Sequence, residues 1–175
     1  MKEVALFLIM ALIGVSSYGQ TSVKLNLELH DVQHLTINPD QSVVTLAYRT
    51  LEDYKNGVEL VQKAHLSVFS TSGYEVKVKL VNHDFVRLSG EQNNSVMAPL
   101  IRVKAKAVTL GSSMHVAGKL LTTNKETIIS SNSPNFNAVF DVTYQGPGSN
   151  GLIDYVEKNN AVTFTNDLLY SIETK

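Results

Sequence analysis

Thr21-Ser-Val-Lys-Leu-Asn-Leu-Glu-Leu-His-Asp-Val-Gln-His-Leu-Thr-Ile37 is the stretch whose reading decides the fold. Val23, Leu25, Leu27 and Leu29 alternate with Lys24, Asn26 and Glu28. A period of two puts the apolar side chains on one face of an extended strand and the polar ones on the other. Such a strand has two uses. It closes its own sheet, or it lends its apolar face to a neighbouring molecule.

Upstream, residues 1–19 read as a secretory signal. Lys2 supplies a thin positive start, weakened by Glu3, and Val4–Val15 is an apolar run of signal-peptide length. Ser17-Tyr18-Gly19 places small residues at the −3 and −1 positions, so cleavage leaves Gln20 at the new N-terminus. The chain has 175 residues, 43% of them hydrophobic and 18% charged, with no Cys and no Trp. Residues 20–175 are therefore expected to form a single domain with a real core. Without Cys, thiol catalysis, cysteine metal sites and a disulfide framework are excluded. A net charge of −1 gives no global attraction to nucleic acid or to an anionic membrane. No second apolar run is long enough for a transmembrane helix.

Downstream, the same alternation recurs between turn signals. Asn38-Pro39-Asp40 is a turn. Ser42–Tyr48 reads as a strand with Val44, Leu46 and Tyr48 on one face. Residues 50–60 read as a loop or one helical turn around Asn56-Gly57, or as a short helix continuing from Gly57 to Lys63. Ala64–Ser70 and Tyr74–Val81 read as a hairpin joined by Thr71-Ser72-Gly73. Asn82–Asn94 reads as a loop. Leu100–Thr109 alternates Ile101, Val103, Ala105 and Ala107 against Arg102, Lys104 and Lys106. Two short strands are expected near Val116–Leu121 and Thr127–Ser130. In Asn135–Tyr144, Phe136, Ala138, Phe140, Val142 and Tyr144 share a face. Gln145–Gly151 is a Gly/Pro loop, Leu152–Val156 a short apolar patch and Ala161–Ile172 the last strand. Roughly seven to nine short antiparallel strands and no long amphipathic helix argue for an all-β, immunoglobulin-like sandwich, with a jelly roll as the alternative.

Few residues look like chemistry. Gly146-Pro-Gly-Ser-Asn-Gly151 matches G-x-G-x-x-G, but no helix within a βαβ unit follows it, so it reads as a turn. His30 and His34 are four apart, and on a strand that spacing spans about 13 Å, too far to share an ion easily. His65 falls out of phase with Ala64, Leu66 and Val68 and is expected on an outer face. No H-E-x-x-H, S-x-x-K or G-x-S-x-G motif occurs. No catalytic, cofactor or metal residue is assigned, and the chain is read as non-enzymatic. Lys77 and Lys79 share an outer face, as do Arg102, Lys104 and Lys106. On neighbouring strands these five would form a basic stripe able to attract an acidic glycan, headgroup or partner, although a solvated face that discourages edge pairing is the simpler reading.

Four segments resemble a family of small secreted β-sandwich proteins common in Bacteroidetes-type bacteria, similar in pattern to fimbrial and spore-coat-U-like subunits. They are Asp53-Tyr-Lys-Asn-Gly-Val58, His65-Leu-Ser-Val-Phe-Ser-Thr-Ser-Gly-Tyr-Glu-Val-Lys-Val78, Phe140-Asp-Val-Thr-Tyr144 and Phe164-Thr-Asn-Asp-Leu-Leu-Tyr-Ser-Ile172. The resemblance implies an immunoglobulin-like sandwich, export to the periplasm, cell surface or medium, and a structural or adhesive role. Its partners would be copies of itself or other envelope proteins. In that role Val23, Leu25, Leu27 and Leu29 would form a strand donated to a partner's sheet. The chain departs from fimbrial subunits of the chaperone–usher type in having no Cys and a full final strand. Residues 23–29 are therefore expected to close their own domain, with donation as the alternative. A different class of function, a monomeric glycan- or envelope-binding module, would use loops 82–95 and 145–160 and exposed Tyr54 or Tyr155.

Overall fold

Most of the alternating segments from Gln33 onward become strands in the computed structural model, which describes residues 21–90, 95–97, 100–108 and 114–175. The signal-peptide reading of residues 1–19 lies outside the described residues. In chain order the elements are β1 (Gln33–Ile37), α1 (Leu51–Asn56), β2 (Glu59–Ser70), β3 (Tyr74–Leu80), β4 (Asp84–Ser89), β5 (Ser95–Met97) and β6 (Arg102–Ala107). They continue as β7 (Met114–Val116), β8 (Gly118–Leu120), β9 (Glu126–Ser131), β10 (Asn135–Gln145), β11 (Thr163–Thr165) and β12 (Leu168–Thr174). One unit of the chain ends at His30 and the other is Asp31–Lys175.

Every ladder is antiparallel. One main sheet has the order β1-β2-β10-β6-β8, the other β12-β3-β9-β7, and a small sheet has β11-β4-β5. The expected all-β sandwich is thus observed, with more strands than expected. Its core is built from alternate residues of both main sheets. Leu66 and Val68 on β2, Val103 and Ala105 on β6, and Phe140 and Val142 on β10 meet Tyr74, Val76, Val78 and Leu80 on β3 and Ile128 and Ile129 on β9.

Four expectations about strands and their pairing are corrected. Ala64–Ser70 and Tyr74–Val81 are not a hydrogen-bonded hairpin. β2 lies in one sheet and β3 in the other, and Thr71-Ser72-Gly73 arches between them. Both strands have an apolar face, and facing each other across the core buries both. The polar stretch 82–94 is not simply loop, because Asp84–Ser89 forms β4 between β11 and β5. The long final strand divides into β11 and β12, which belong to different sheets. Ser42–Tyr48, expected as a strand, belongs to no ladder, and Ser42 takes a helical conformation after the turn Pro39–Gln41.

Two bulges shift the face that β2 and β10 present. Phe140 pairs with Leu66 but Val142 with Gln62, so β2 carries extra residues around Lys63–His65. Ala64 sits there at φ 48°, the left-handed region that an L-residue enters only at some cost. Asp141 holds the bulge, accepting from the Ala64 amide at 2.9 Å and from Lys63 Nζ at 2.9 Å. Those bonds keep its carboxyl below the usual carboxylate range. The second bulge, between Asn135 and Ala138, removes Phe136 from the core face, and its side chain is 66% exposed.

α1 is a capped single turn, and no helix continues from Gly57 to Lys63. Thr50 Oγ1 accepts from the Asp53 amide, and the Asp53 carboxylate accepts from the Thr50 and Arg49 amides, a capping box. Gly57 ends the turn at φ 84°, donating its amide to Asp53 O at 2.8 Å. A Cβ there would lie 2.5 Å from the carbonyl oxygen of Gly146. Gly57→Ala is expected to lower stability by about 1–2 kcal/mol from φ alone, and further through the clash. The urea midpoint should fall with an unchanged slope. A midpoint equal to that of the unsubstituted protein would contradict the tight packing of the 57–146 contact.

Candidate functional site

Val23, Leu25, Leu27 and Leu29 are 92, 84, 83 and 87% exposed, and residues 21–32 belong to no strand. The expectation that residues 23–29 close their own domain is therefore corrected. Pairing begins only at Gln33, opposite Ser70. The two residues before it are engaged by the Thr71-Ser72 arch instead. The Val32 amide donates to Thr71 Oγ1 at 2.8 Å and the Thr71 amide donates to Val32 O at 3.0 Å. The Asp31 carboxylate accepts from the Thr71 and Ser72 hydroxyls at 2.5 and 3.1 Å. This polar clamp fixes the chain just before β1. The alternation of residues 23–29 is real, but it marks an apolar face without fixing what covers it.

An uncovered edge of the sandwich lies where the two main sheets end. β12 is an edge strand bonded only to β3, and β1 is the edge of the other sheet beside it. The core-facing residues of β12, Leu168, Tyr170 and Ile172, are half-buried, whereas Tyr74, Val76, Val78 and Leu80 on the adjacent β3 are at most 1% exposed. Neighbouring strands of one sheet thus differ because, among the described residues, β12 has no strand on its far side. Leu35 on β1, and Val44 and Leu46 in the segment outside the ladders, are also half-buried against the core. The edge offers apolar side chains together with unpaired backbone donors and acceptors, the requirements for accepting a further strand.

A polar chain, buried at His65 and Tyr144 and half-buried at Gln41 and Tyr170, reaches this edge. His65 is 2% exposed, not on an outer face as its alternation implied, because the bulge at Ala64 turns it inward beside Leu66. Its Nδ1 lies 2.9 Å from Gln41 Oε1 and its Nε2 2.8 Å from the Tyr144 hydroxyl, which is 2.6 Å from the Tyr170 hydroxyl on β12. Burial pushes His65 below the usual imidazole range and Tyr144 up to about 12, and it raises Tyr170 further.

The basic stripe is corrected as well. Lys77 and Lys79 lie on β3, and Arg102, Lys104 and Lys106 on β6, strands of different sheets. Lys77 is also held by Glu173 at 2.7 Å and Glu75 at 3.3 Å. Arg102, Lys104 and Lys106 remain exposed together.

The other sequence candidates are structural. The Gly146–Gly151 loop uses its amides on the chain itself: Gly146 N donates to Val58 O, Ser149 N to Lys55 O and Asn150 N to Tyr54 O. Those amides are not free to cradle a phosphate. Beside it lies an open cleft of about 200 Å³ bounded by Asn56, Arg102 and Gln145, smaller than common small-molecule sites. Tyr54 packs on Tyr48, and Tyr155 packs edge-on against Phe164, so neither ring is a free platform. Arg87 lies over the Phe164 ring and pairs with Glu157 at 2.8 Å, tying residues 155–164 to β4. His34 is exposed on β1, and His83 bonds Asp84 at 2.7 Å.

The fold and this edge define a β-sandwich with an unpaired apolar segment and an uncovered sheet margin. No protein-family model and no curated protein matches the chain. Among the described residues, no helix is long and apolar enough to cross a membrane.

Proposed function

We propose that this chain is an exported, non-enzymatic structural subunit of fimbrial or adhesin-like character, and that copies join by strand donation. The N-terminal apolar run with its small-residue cleavage pattern supports export to the periplasm, cell surface or medium. The observation that carries the reading is the near-complete exposure of Val23, Leu25, Leu27 and Leu29 in a chain whose β12 edge is itself uncovered. The donor span 23–29 and the strand Leu168–Thr174 have the same length. Backbone bonds along β12 would supply pairing, while the four apolar side chains would cover Leu168, Tyr170 and Ile172.

The direction of pairing sets the kind of assembly. β12 ends where Thr174 faces Tyr74 and the Lys175 amide donates to Gly73 O. The donor's root is clamped at Thr71 and Ser72, the same end of the sandwich. Antiparallel docking puts the donor's root end against the partner's Leu168 end. Two different surfaces then meet, and the contact repeats from copy to copy unless its rotation closes a ring. Parallel docking would bring like ends together and close a pair. Since every ladder in the sandwich is antiparallel, an open head-to-tail polymer is the expected product.

A titration tests this. The chain from Gln20 lacking residues 21–30 should bind a synthetic peptide of residues 21–32 one to one. A peptide carrying Leu25→Asp and Leu27→Asp should not bind. Equal binding of both peptides would defeat the reading.

A further inference from the structure

We propose that the hydrogen-bonded chain Gln41–His65–Tyr144–Tyr170 is an acid-sensitive latch on β12, so that acidification loosens the strand that receives the donor. The inference rests on the strand-donation reading for its consequence, but not for the latch itself.

The geometry assigns the hydrogens when His65 is neutral. Nδ1–H donates to Gln41 Oε1, Nε2 accepts from the Tyr144 hydroxyl, and the Tyr144 oxygen accepts from the Tyr170 hydroxyl. Every proton in the chain has an acceptor. The chain crosses the sandwich, linking β2 and β10 of one sheet to β12 of the other. The rings are packed edge-on, His65 to Tyr144 at 5.7 Å and to Tyr170 at 6.1 Å between centroids.

Protonation breaks this order. Nε2 becomes a donor, so the Tyr144 oxygen must accept from it. The Tyr144 proton then needs a new acceptor. If it turns to Tyr170, the Tyr170 proton is displaced in turn. The displaced hydroxyl, on half-buried Tyr170, then loses its acceptor within the chain, beside a positive charge on buried His65.

The charged groups on the surrounding elements do not offset that charge. Lys63 and Asp141 at the bulge pair with each other, and Lys106 acts on the same carboxylate. Asp40, next to Gln41, is exposed. Glu173 on β12 is held by Lys77 and Lys125, and Glu75 on β3 bonds Lys77. Burial lowers the imidazole below its ordinary value. The latch is therefore complete above about pH 6.5 and is lost as pH falls from there through the folded-state value.

The test uses the chain from Gln20 with Leu25→Asp and Leu27→Asp to keep it monomeric. Amide exchange is read at pH 7.5 and 5.5 after correction for intrinsic rates. Protection along β12 is expected to fall by up to about tenfold on acidification while the centres of β6 and β10 hold. In His65→Gln, which keeps an uncharged donor and acceptor, the fall should vanish. Unchanged β12 protection in the parent, or an equal fall in His65→Gln, would overturn the latch. If His65→Gln does not fold, an NMR titration of the parent decides: β12 amide shifts that titrate together with the His65 ring support it, and β12 amides indifferent to that titration overturn it. The 21–32 peptide, added at both pH values, separates the two ideas. Loosening of β12 with no peptide binding at either pH would support the latch and sink strand donation. Equal peptide binding at both, with β12 unchanged, would sink the latch and leave donation standing.

Discussion

Leu25→Asp and Leu27→Asp, introduced together in the chain from Gln20, are expected to abolish self-association while leaving the sandwich as stable as before. The donor's value lies in its four apolar side chains. Burying them is worth about 6–12 kcal/mol across the set, against an association cost of roughly 4–15 kcal/mol. The balance is narrow enough that losing two of them decides it. Each substitution also places a carboxylate where an apolar pocket is expected, and burying a charge without a partner is prohibitive. Even about 3 kcal/mol weakens association roughly a hundredfold. The fold is untouched because these residues are almost fully exposed and belong to no strand. Thermal unfolding should coincide with that of the parent monomer. A variant that still forms multimers would remove residues 23–29 from the interface. A variant that unfolds would show that the segment closes its own domain after all.

Phe140→Ala is expected to lower stability by about 3–5 kcal/mol, while Phe136→Ala, four residues away on the same strand, should change it by less than about 1 kcal/mol. Phe140 is 0% exposed on β10, between Leu66 of β2 and Ala107 of β6. Both neighbours are held in ladders, so the space left by the ring cannot collapse easily. Against a total of roughly 5–15 kcal/mol for a domain, a loss of that size leaves little margin. Phe136 is 66% exposed, and its one ring neighbour, Phe69, is itself 38% exposed. Urea unfolding of both variants measures the contrast. Equal losses would place both rings in the core and contradict the bulge between Asn135 and Ala138.

That pair of residues also shows what a sequence can and cannot carry. Strict alternation read β3, β6 and the second half of β10 correctly, because nothing interrupts the pleat there. It misread Phe136 and His65 because a bulge shifts the phase and leaves little trace in composition. At His65 the device is Ala64 at φ 48°, an ordinary residue in a left-handed conformation, secured by a carboxylate 77 positions away. Strand partners were less legible than strands. Thr71-Ser72-Gly73 is short enough for a hairpin or for an arch, and only the need to bury two apolar faces selects the arch. The same limit split the basic residues of β3 and β6 between two sheets. The donor segment was the reverse case. Its pattern was plain, but its freedom was not, since Val23–Leu29 would read identically as a closing strand. The β12 edge was invisible, because nothing in Leu168–Thr174 records that one side lacks a neighbour.

Sedimentation velocity of the chain from Gln20, beside the same chain lacking residues 21–30, tests strand donation most directly. The intact chain should sediment as a concentration-dependent series of growing polymers, and the truncated one as a folded monomer. An intact chain that stays monomeric at high concentration, or a truncated chain that polymerises as before, would contradict it.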